Sequence, residues 1–468
     1  MAIETGPEGP SVATLPPLQA EPEVPLKRAK LDPEPEPATP TPALANAEEP
    51  AQAKPTPLSK KAKKAQQNRR PNRQRVPSTQ SDTEADPNKP GRLPKRKVAL
   101  MMGFCGTGYQ GMQVNPGSKT IEGDLYQALV AAGAVSQDNA NDVKKVNFVR
   151  AARTDKGVHA AGQVVSLKMI VDLPDIVAKI NAALPDQIRV WGFVRSLKSF
   201  NARFACDSRI YEYMLPTYVF APPRPKPDLS SLPEGELPKS TPEELTALRA
   251  YRIAPEMVEQ VRQALQQYVG TCNYHNFTIS KKFSDPSAKR VIRSFTCSAP
   301  MLIDGTEWLS LKVHGQSFMM HQIRKMVGLV ILLVRGQMPL DLIPQTMKDF
   351  KINIPKAPGL GLLLEQTVFE AYSKRAVDLG SNVVSFASYQ DQIDAFKQEF
   401  IYAQITREEM SAAVFDGWVR HIEAFPEYFP FLSSGGKVIG EDCLSRPRHT
   451  SVADPAGSDD EAEAEDDS

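Results

Sequence analysis

From residue 97 onward, apolar and polar positions fall into blocks whose period switches between two and about 3.6 residues. Residues 98–104 form a continuous apolar run that predicts a buried strand. In residues 120–132, Ile121, Leu125, Ala128, Leu129 and Ala132 recur at helical spacing. Residues 146–149 and 163–169 predict strands, the second alternating Val164, Ser166 and Lys168 with Val165, Leu167 and Met169. A helix over 175–183 and a strand over 188–194 follow. Residues 210–215 alternate again, which places Tyr211 and Tyr213 on one strand face and Glu212 on the other. Residues 221–242 contain seven prolines and predict an inserted loop. A second series then begins: a helix near 255–268, strands near 291–298 and 308–313, and a long helix over 317–334. After Phe369 the pattern is purely helical, and Thr406 with Glu409 has the spacing of a capping box. This mixed order of elements points to an α+β fold rather than a strict βαβ repeat.

Composition changes the picture at the two ends. Residues 1–97 hold 19 of the 41 prolines and almost no aromatic side chain, so this stretch is expected to be a disordered arm. Residues 458–468 carry seven acids and no aromatic residue, the signature of a disordered acidic tail. The net charge of +1 conceals this polarity, because residues 54–75 contain nine Lys or Arg and no acid. The expected organisation is an arm over 1–96, a first α+β half over 97–220 and a proline-rich insertion over 221–245. A second half over 246–372, a helical extension over 373–446 and a tail over 447–468 complete it.

The five cysteines (105, 206, 272, 297 and 443) form no C-x-x-C pair, which suggests free thiols in a reducing compartment. The early residues are polar and broken by proline, so no secretory signal is expected. The longest apolar run, 327–334, is far shorter than the roughly 20 residues that span a bilayer, and no membrane partner is expected.

Gly106-x-Gly108-x-x-Gly111 matches a dinucleotide-binding fingerprint and follows a predicted strand. That site also needs a helix starting at the glycines, whose amides face a pyrophosphate. Pro116 and Gly117 block such a helix, so the fingerprint fails in its context and a nucleotide-dependent oxidoreductase is set aside.

The stretch Arg153-Thr-Asp155-Lys156-Gly157-Val-His159-Ala160 is the most informative in the chain. Asp-Lys-Gly alone reads as a turn. Its cationic flanks, however, would keep the Asp155 carboxylate ionised. Arg324, among Met320, Val327 and Ile331 at helical spacing, needs a buried anion unless it is a structural ion pair or a snorkelling side chain.

The octapeptide around Asp155 resembles the catalytic motif of TruA-type pseudouridine synthases, and further blocks agree in order. Phe104 to Gln113 resembles that family's first motif, and Thr120 to Leu125 the helix after it. Phe200-Asn-Ala-Arg203 with Arg209-Ile-Tyr211-Glu-Tyr213 resembles the block carrying the active-site tyrosine. Gly315 to Gly328 resembles the block with a conserved arginine, and Ala357 to Glu365 the terminal motif. Together they cover roughly residues 98–370. The phrasing of 319–326, the proline-rich insertion and the helical extension are similar to the eukaryotic nuclear branch, as is Asn201 where bacterial relatives commonly carry His.

The resemblance implies two tandem pseudo-symmetric α/β-sheet halves forming a central RNA-binding cleft, with the helical extension outside. It implies an isomerase that breaks the glycosidic bond of a uridine, turns the base and rejoins it through carbon. No atom is gained and no redox occurs, so no cofactor is required. Asp155 would be the nucleophile, Tyr211 would face the extracted base, and Arg324 would hold the Asp155 carboxylate. Arg153, Lys156, His159, Arg203 and Arg209 would bind the RNA. The expected substrate is tRNA, with small nuclear or messenger RNA as further partners. The rival reading is a non-catalytic RNA-binding or tRNA-folding protein on the same scaffold, which need not keep Asp155, Tyr211 and Arg324 together. Cys272-x-x-His275 has the spacing of two zinc ligands, and some eukaryotic relatives have been regarded as zinc-containing. Two further ligands are not evident, so no metal ligand is assigned. Lys27, Arg28 and Lys30 form a compact basic cluster suited to a nuclear import receptor, with a second at residues 60–64, so the expected location is the nucleus.

Overall fold

The computed structural model describes residues 93–433 except 232, 234, 235 and 237. The import cluster, most of the basic arm, Cys443 and the acidic tail lie outside the described residues.

The fold is α+β, organised on one ten-stranded sheet. Its strands are β1 (Lys95–Phe104), β2 (Val149–Arg150), β3 (His159–Ile170), β4 (Ile188–Arg195) and β5 (Ser208–Pro216). The second series supplies β6 (Gly270–Asn273), β7 (Lys289–Cys297), β8 (Met301–Ile303), β9 (Thr306–Gly315) and β10 (Leu362–Val368). Their order is β4-β1-β3-β10-β5-β9-β7-β6, with β2 beside β3 and β8 beside β9. The two halves interlock. β10, late in the chain, runs parallel to β3 and antiparallel to β5, so it stitches the first series to the second. β5 in turn pairs with β9 from Arg209 opposite Gly315 to Pro216 opposite Trp308.

Central strands are covered on both faces, which is why β1 and β3 read as almost unbroken buried runs. The alternation over 164–169 therefore does not mark a solvated face. Ser166 is fully buried and accepts a hydrogen bond from Ala202 N at 3.1 Å, leaving Lys168 as the exposed member. The residues 120–132 form the helix Ile121–Ala131, whose first turn is capped by Thr120 accepting from Gly123 N. Residues 143–146 are a 3-10 turn, so the strand expected there shrinks to β2.

The long helix begins later than its periodicity implies, at Gln322, and runs to Arg335. Gln322 turns its side-chain carbonyl back to accept from Met319 N at 2.9 Å, and His321 takes a left-handed backbone with φ 60°. Residues 317–321 are thereby freed from the helix to line a cleft. Thr406 and Glu409 do not form a capping box. They sit inside the helix Ala403–Ala412, which continues a π-helical segment, Lys397–Tyr402. Glu409 is buried and instead accepts from Tyr218 Oη and from Phe415 N. The capping box is made by Thr241 and Glu244 at the start of Pro242–Arg249.

Among the described residues, no helix is long and apolar enough to cross a membrane.

Candidate active site

The loop carrying Asp155 is braced from three directions. Behind it, Gln163 on β3 reaches back to Ala152, donating to its carbonyl at 2.8 Å and accepting from its amide at 3.2 Å. Beside it lie the glycines of the rejected fingerprint. A Cβ on Gly111, whose φ is +90°, would stand 2.6 Å from Thr154 O, and one on Gly106 would stand 2.2 Å from Val158 O. These glycines let the first motif close on the Asp155 loop, where Met112 N donates to Thr154 O at 3.2 Å and Gly157 N to Tyr109 O at 3.2 Å. Tyr109 is itself held by its hydroxyl, which donates to Asp124 at 2.6 Å. From the other half, Arg209 on β5 donates to Ala151 O at 2.9 Å and to Gln316 O at 3.0 Å, tying the two series together beside the loop.

Asp155, Tyr211 and Arg324 line one cleft of about 650 Å³. Arg153, Arg203, Arg209, Arg150, Lys281 and Arg290 also face it, so its wall is strongly cationic. Tyr211 is nearly buried and meets the edge of Phe318 with ring centroids 5.3 Å apart and planes at 84°. Burial holds its phenol protonated well above the usual range; Arg209 pulls against this and the Asp155 charge adds to it. Arg324 is buried too. Its Nε donates to Ala357 O at 2.7 Å, while Nη2 has no hydrogen-bond partner among the described residues. A buried guanidinium N–H without an acceptor is costly, and Arg324 is among the residues that line the cleft. Sequence reasoning missed Arg150. It reaches the cleft wall because Glu122, buried at the start of Ile121–Ala131, pairs with it and also accepts from Val114 N at 3.0 Å.

His159 does not belong to the RNA-facing surface. As the first residue of β3 it is completely buried, and Nδ1 accepts from Gly106 N at 3.1 Å. Burial lowers its pKa to about 4, so it is a neutral strut between the first motif and the Asp155 loop, not a phosphate-binding cation. Lys156 is exposed next to Asp155, outside the residues that line the cleft. Arg153 and Arg203 are exposed and line it, whereas Arg209 commits both terminal nitrogens to backbone carbonyls.

Cys272 and His275 meet no third metal ligand among the described residues. His275 Nε2 lies 3.0 Å from Phe350 O, and among the described residues no group of three His, Cys, Asp or Glu could hold a metal.

Residues 264–370 match the family model described as tRNA pseudouridine synthase. The chain is 44% identical to tRNA pseudouridine synthase 1 of Yarrowia lipolytica over 82% of this chain and 86% of that protein. It is 42% identical to tRNA pseudouridine synthase 1 of Saccharomyces cerevisiae, covering 72% and 73% of the two chains. The mouse pseudouridylate synthase 1 homolog is 40% identical over 76% of this chain and 78% of its own length. Identity of this level over most of both chains, around a cleft lined by Asp155, Tyr211 and Arg324, makes this chain a member of the tRNA pseudouridine synthase family.

Proposed function

We propose that this enzyme isomerises uridines of tRNA to pseudouridine, with Asp155 as the attacking carboxylate, Tyr211 as the floor for the extruded base and Arg324 as the cation that positions Asp155. The observation that carries this reading is the convergence of these three residues, from three separated segments, on one cationic cleft. A carboxylate nucleophile needs no cofactor for a reaction in which every atom is retained. Extruding the uridine from its stack costs a few kcal/mol, and a wall of arginines offsets this by holding the backbone. Arg153 and Arg203 face the cleft from exposed positions suited to phosphate, and Lys156 extends the same surface outside it. Tyr211 works as a neutral phenol: with its pKa raised by burial, it presents a flat face and a proton-bearing hydroxyl to the base.

Asp155→Asn keeps the shape and removes the charge. On uridine-containing tRNA without added cofactor, pseudouridine formation should fall by at least ~10²-fold while tRNA affinity stays within a few-fold. Turnover within a factor of ten of wild type would remove Asp155 from this role. An unmutated chain that binds tRNA and forms no pseudouridine would favour the RNA-folding reading.

The working location is the nucleus, and the support is the pair of basic clusters at Lys27, Arg28 and Lys30 and at residues 60–64. Phosphate contacts read no sequence, so small nuclear and messenger RNAs presenting an extrudable uridine are further substrates. Deleting residues 1–91 should move a fluorescent fusion toward the cytoplasm and leave turnover on purified tRNA nearly intact. Retention in the nucleus with collapsed turnover would make the arm part of the RNA-binding surface instead.

A further inference from the structure

Phe204 is 82% exposed, more than any other large apolar side chain among the described residues. It contributes little to the core, yet its backbone is firmly held. It belongs to the one-turn helix Ala202–Ala205, where Asn201 Oδ1 accepts from Arg203 N at 3.0 Å and from Phe204 N at 3.3 Å. The same turn is pinned to the sheet by Ala202 N, which donates to the buried Ser166 hydroxyl of β3 at 3.1 Å. Its neighbour Arg203 lines the cleft with Asp155, and the Arg203 guanidinium carbon stands 5.9 Å from the Phe204 ring centroid. The turn also packs against β2, whose Val149 and Arg150 form part of the cleft wall. A rigid turn therefore presents a bare aromatic ring to solvent at the rim of a cationic cleft.

We propose that Phe204 is a stacking platform for a base of the bound RNA that flanks the extruded uridine, with Arg203 holding the adjoining phosphate. Taking a uridine out of its stack strips one face of each neighbouring base. An exposed ring at the rim restores a π-contact to one of them, and does so for any base identity. The target base itself is served inside the cleft by Tyr211, which is nearly buried, whereas Phe204 lies outside the cleft lining. The guanidinium over the ring adds a cation–π contribution and directs the phosphate to the same spot.

The proposal rests on the cleft being the site of uridine extrusion, so the test separates binding from chemistry. Phe204→Ala, Phe204→Leu and Phe204→Tyr are made in the full chain, and affinity for an unmodified tRNA transcript is measured beside kcat and KM. Ala and Leu should each weaken binding and raise KM by on the order of ten-fold, the scale of one base–aromatic stack. Their kcat and melting temperature should stay close to wild type, and Tyr should restore binding. Repeating the binding measurement with Asp155→Asn present removes all contribution from turnover, so the loss on Phe204→Ala persists there even if Asp155 is not the nucleophile. Unchanged affinity in Phe204→Ala, recovery with Leu, or failure of Tyr to recover would each overturn the proposal.

Discussion

The side-chain amide of Gln163 closes a two-point clamp on the peptide of Ala152, donating to its carbonyl at 2.8 Å and accepting from its amide at 3.2 Å. Both residues are buried, so no water replaces the clamp when it is removed. Gln163→Leu should destabilise the fold by about 2 kcal/mol or more, since two backbone groups lose their partner. Release of the residues leading into Asp155 should also lower kcat by ten-fold or more, because small misplacements at a reacting group are amplified in rate. Chemical denaturation and single-turnover assays check the two effects. Unchanged kcat in a folded variant would show that the loop keeps its shape without Gln163.

Arg324 makes a different test. Its Nε bond to Ala357 O fixes the guanidinium, and Nη2 is left buried and available for an anion. Lysine reproduces the charge without the planar fork. Arg324→Lys should lose most single-turnover activity, about 10²-fold, if the residue orients Asp155. Loss of the Ala357 bond should cost roughly 1–3 kcal/mol of stability. Near-normal turnover with reduced stability would confine Arg324 to a structural role.

Much of this site is legible in the chain because it depends on local signals. Strand alternation puts Tyr211 and Glu212 on opposite faces, and the cationic, glycine-bearing loop singles out Asp155. What sequence does not reveal is burial and long-range pairing. His159 reads as one more cation beside Arg153 and Lys156, yet the first-motif loop closes over it and neutralises it. Periodicity assigns no strand to Leu362–Val368, because seven residues of β10 acquire their meaning only when slotted between β3 and β5. Lys397 lies in a stretch that the sequence shows only as helical, and its π-helical turn is not legible there. That wider turn brings Lys397 and Tyr402, five apart, to the same Glu212 oxygen at 3.0 and 2.8 Å.

That ion cluster fastens the helical extension to the face of β5 opposite Tyr211. Lys397 is buried between Glu212 and Glu365, and Lys312 reaches Glu365 at 3.1 Å. Burial alone would raise the Glu212 carboxyl, but Lys397, with Ser310 and Lys312, carries it below the usual value. Lys397→Met should therefore leave the buried Glu212 carboxylate without its ion-pair partner and cost roughly 3–5 kcal/mol. Adding Glu212→Gln to that variant should recover part of the loss, and the non-additivity measures the coupling. A double-variant loss equal to the sum of the two single losses would show that the cluster does not act as a unit.

Glu409 provides a pH test of the same extension with the opposite sign. Burial raises its carboxyl to about 7, with the nearby Asp416 adding and the Tyr218 hydroxyl and Phe415 amide opposing. The folded form thus holds a proton that the unfolded chain releases near its ordinary value of about 4.3. Below that value both states are protonated, and the group makes no demand on folding. As pH rises toward 7 the folded state retains the proton longer than the unfolded state, so stability falls across this window and levels off above it. A depressed carboxylate such as Glu212 would instead favour stability at the higher end. Glu409→Gln removes the titration while keeping an amide that can meet Tyr218 and Phe415. Denaturation midpoints of wild type should decline from pH 5 to about 7 relative to Glu409→Gln. Parallel pH profiles for the two proteins would mean that Glu409 is ionised throughout and that its hydrogen bonds outweigh its burial.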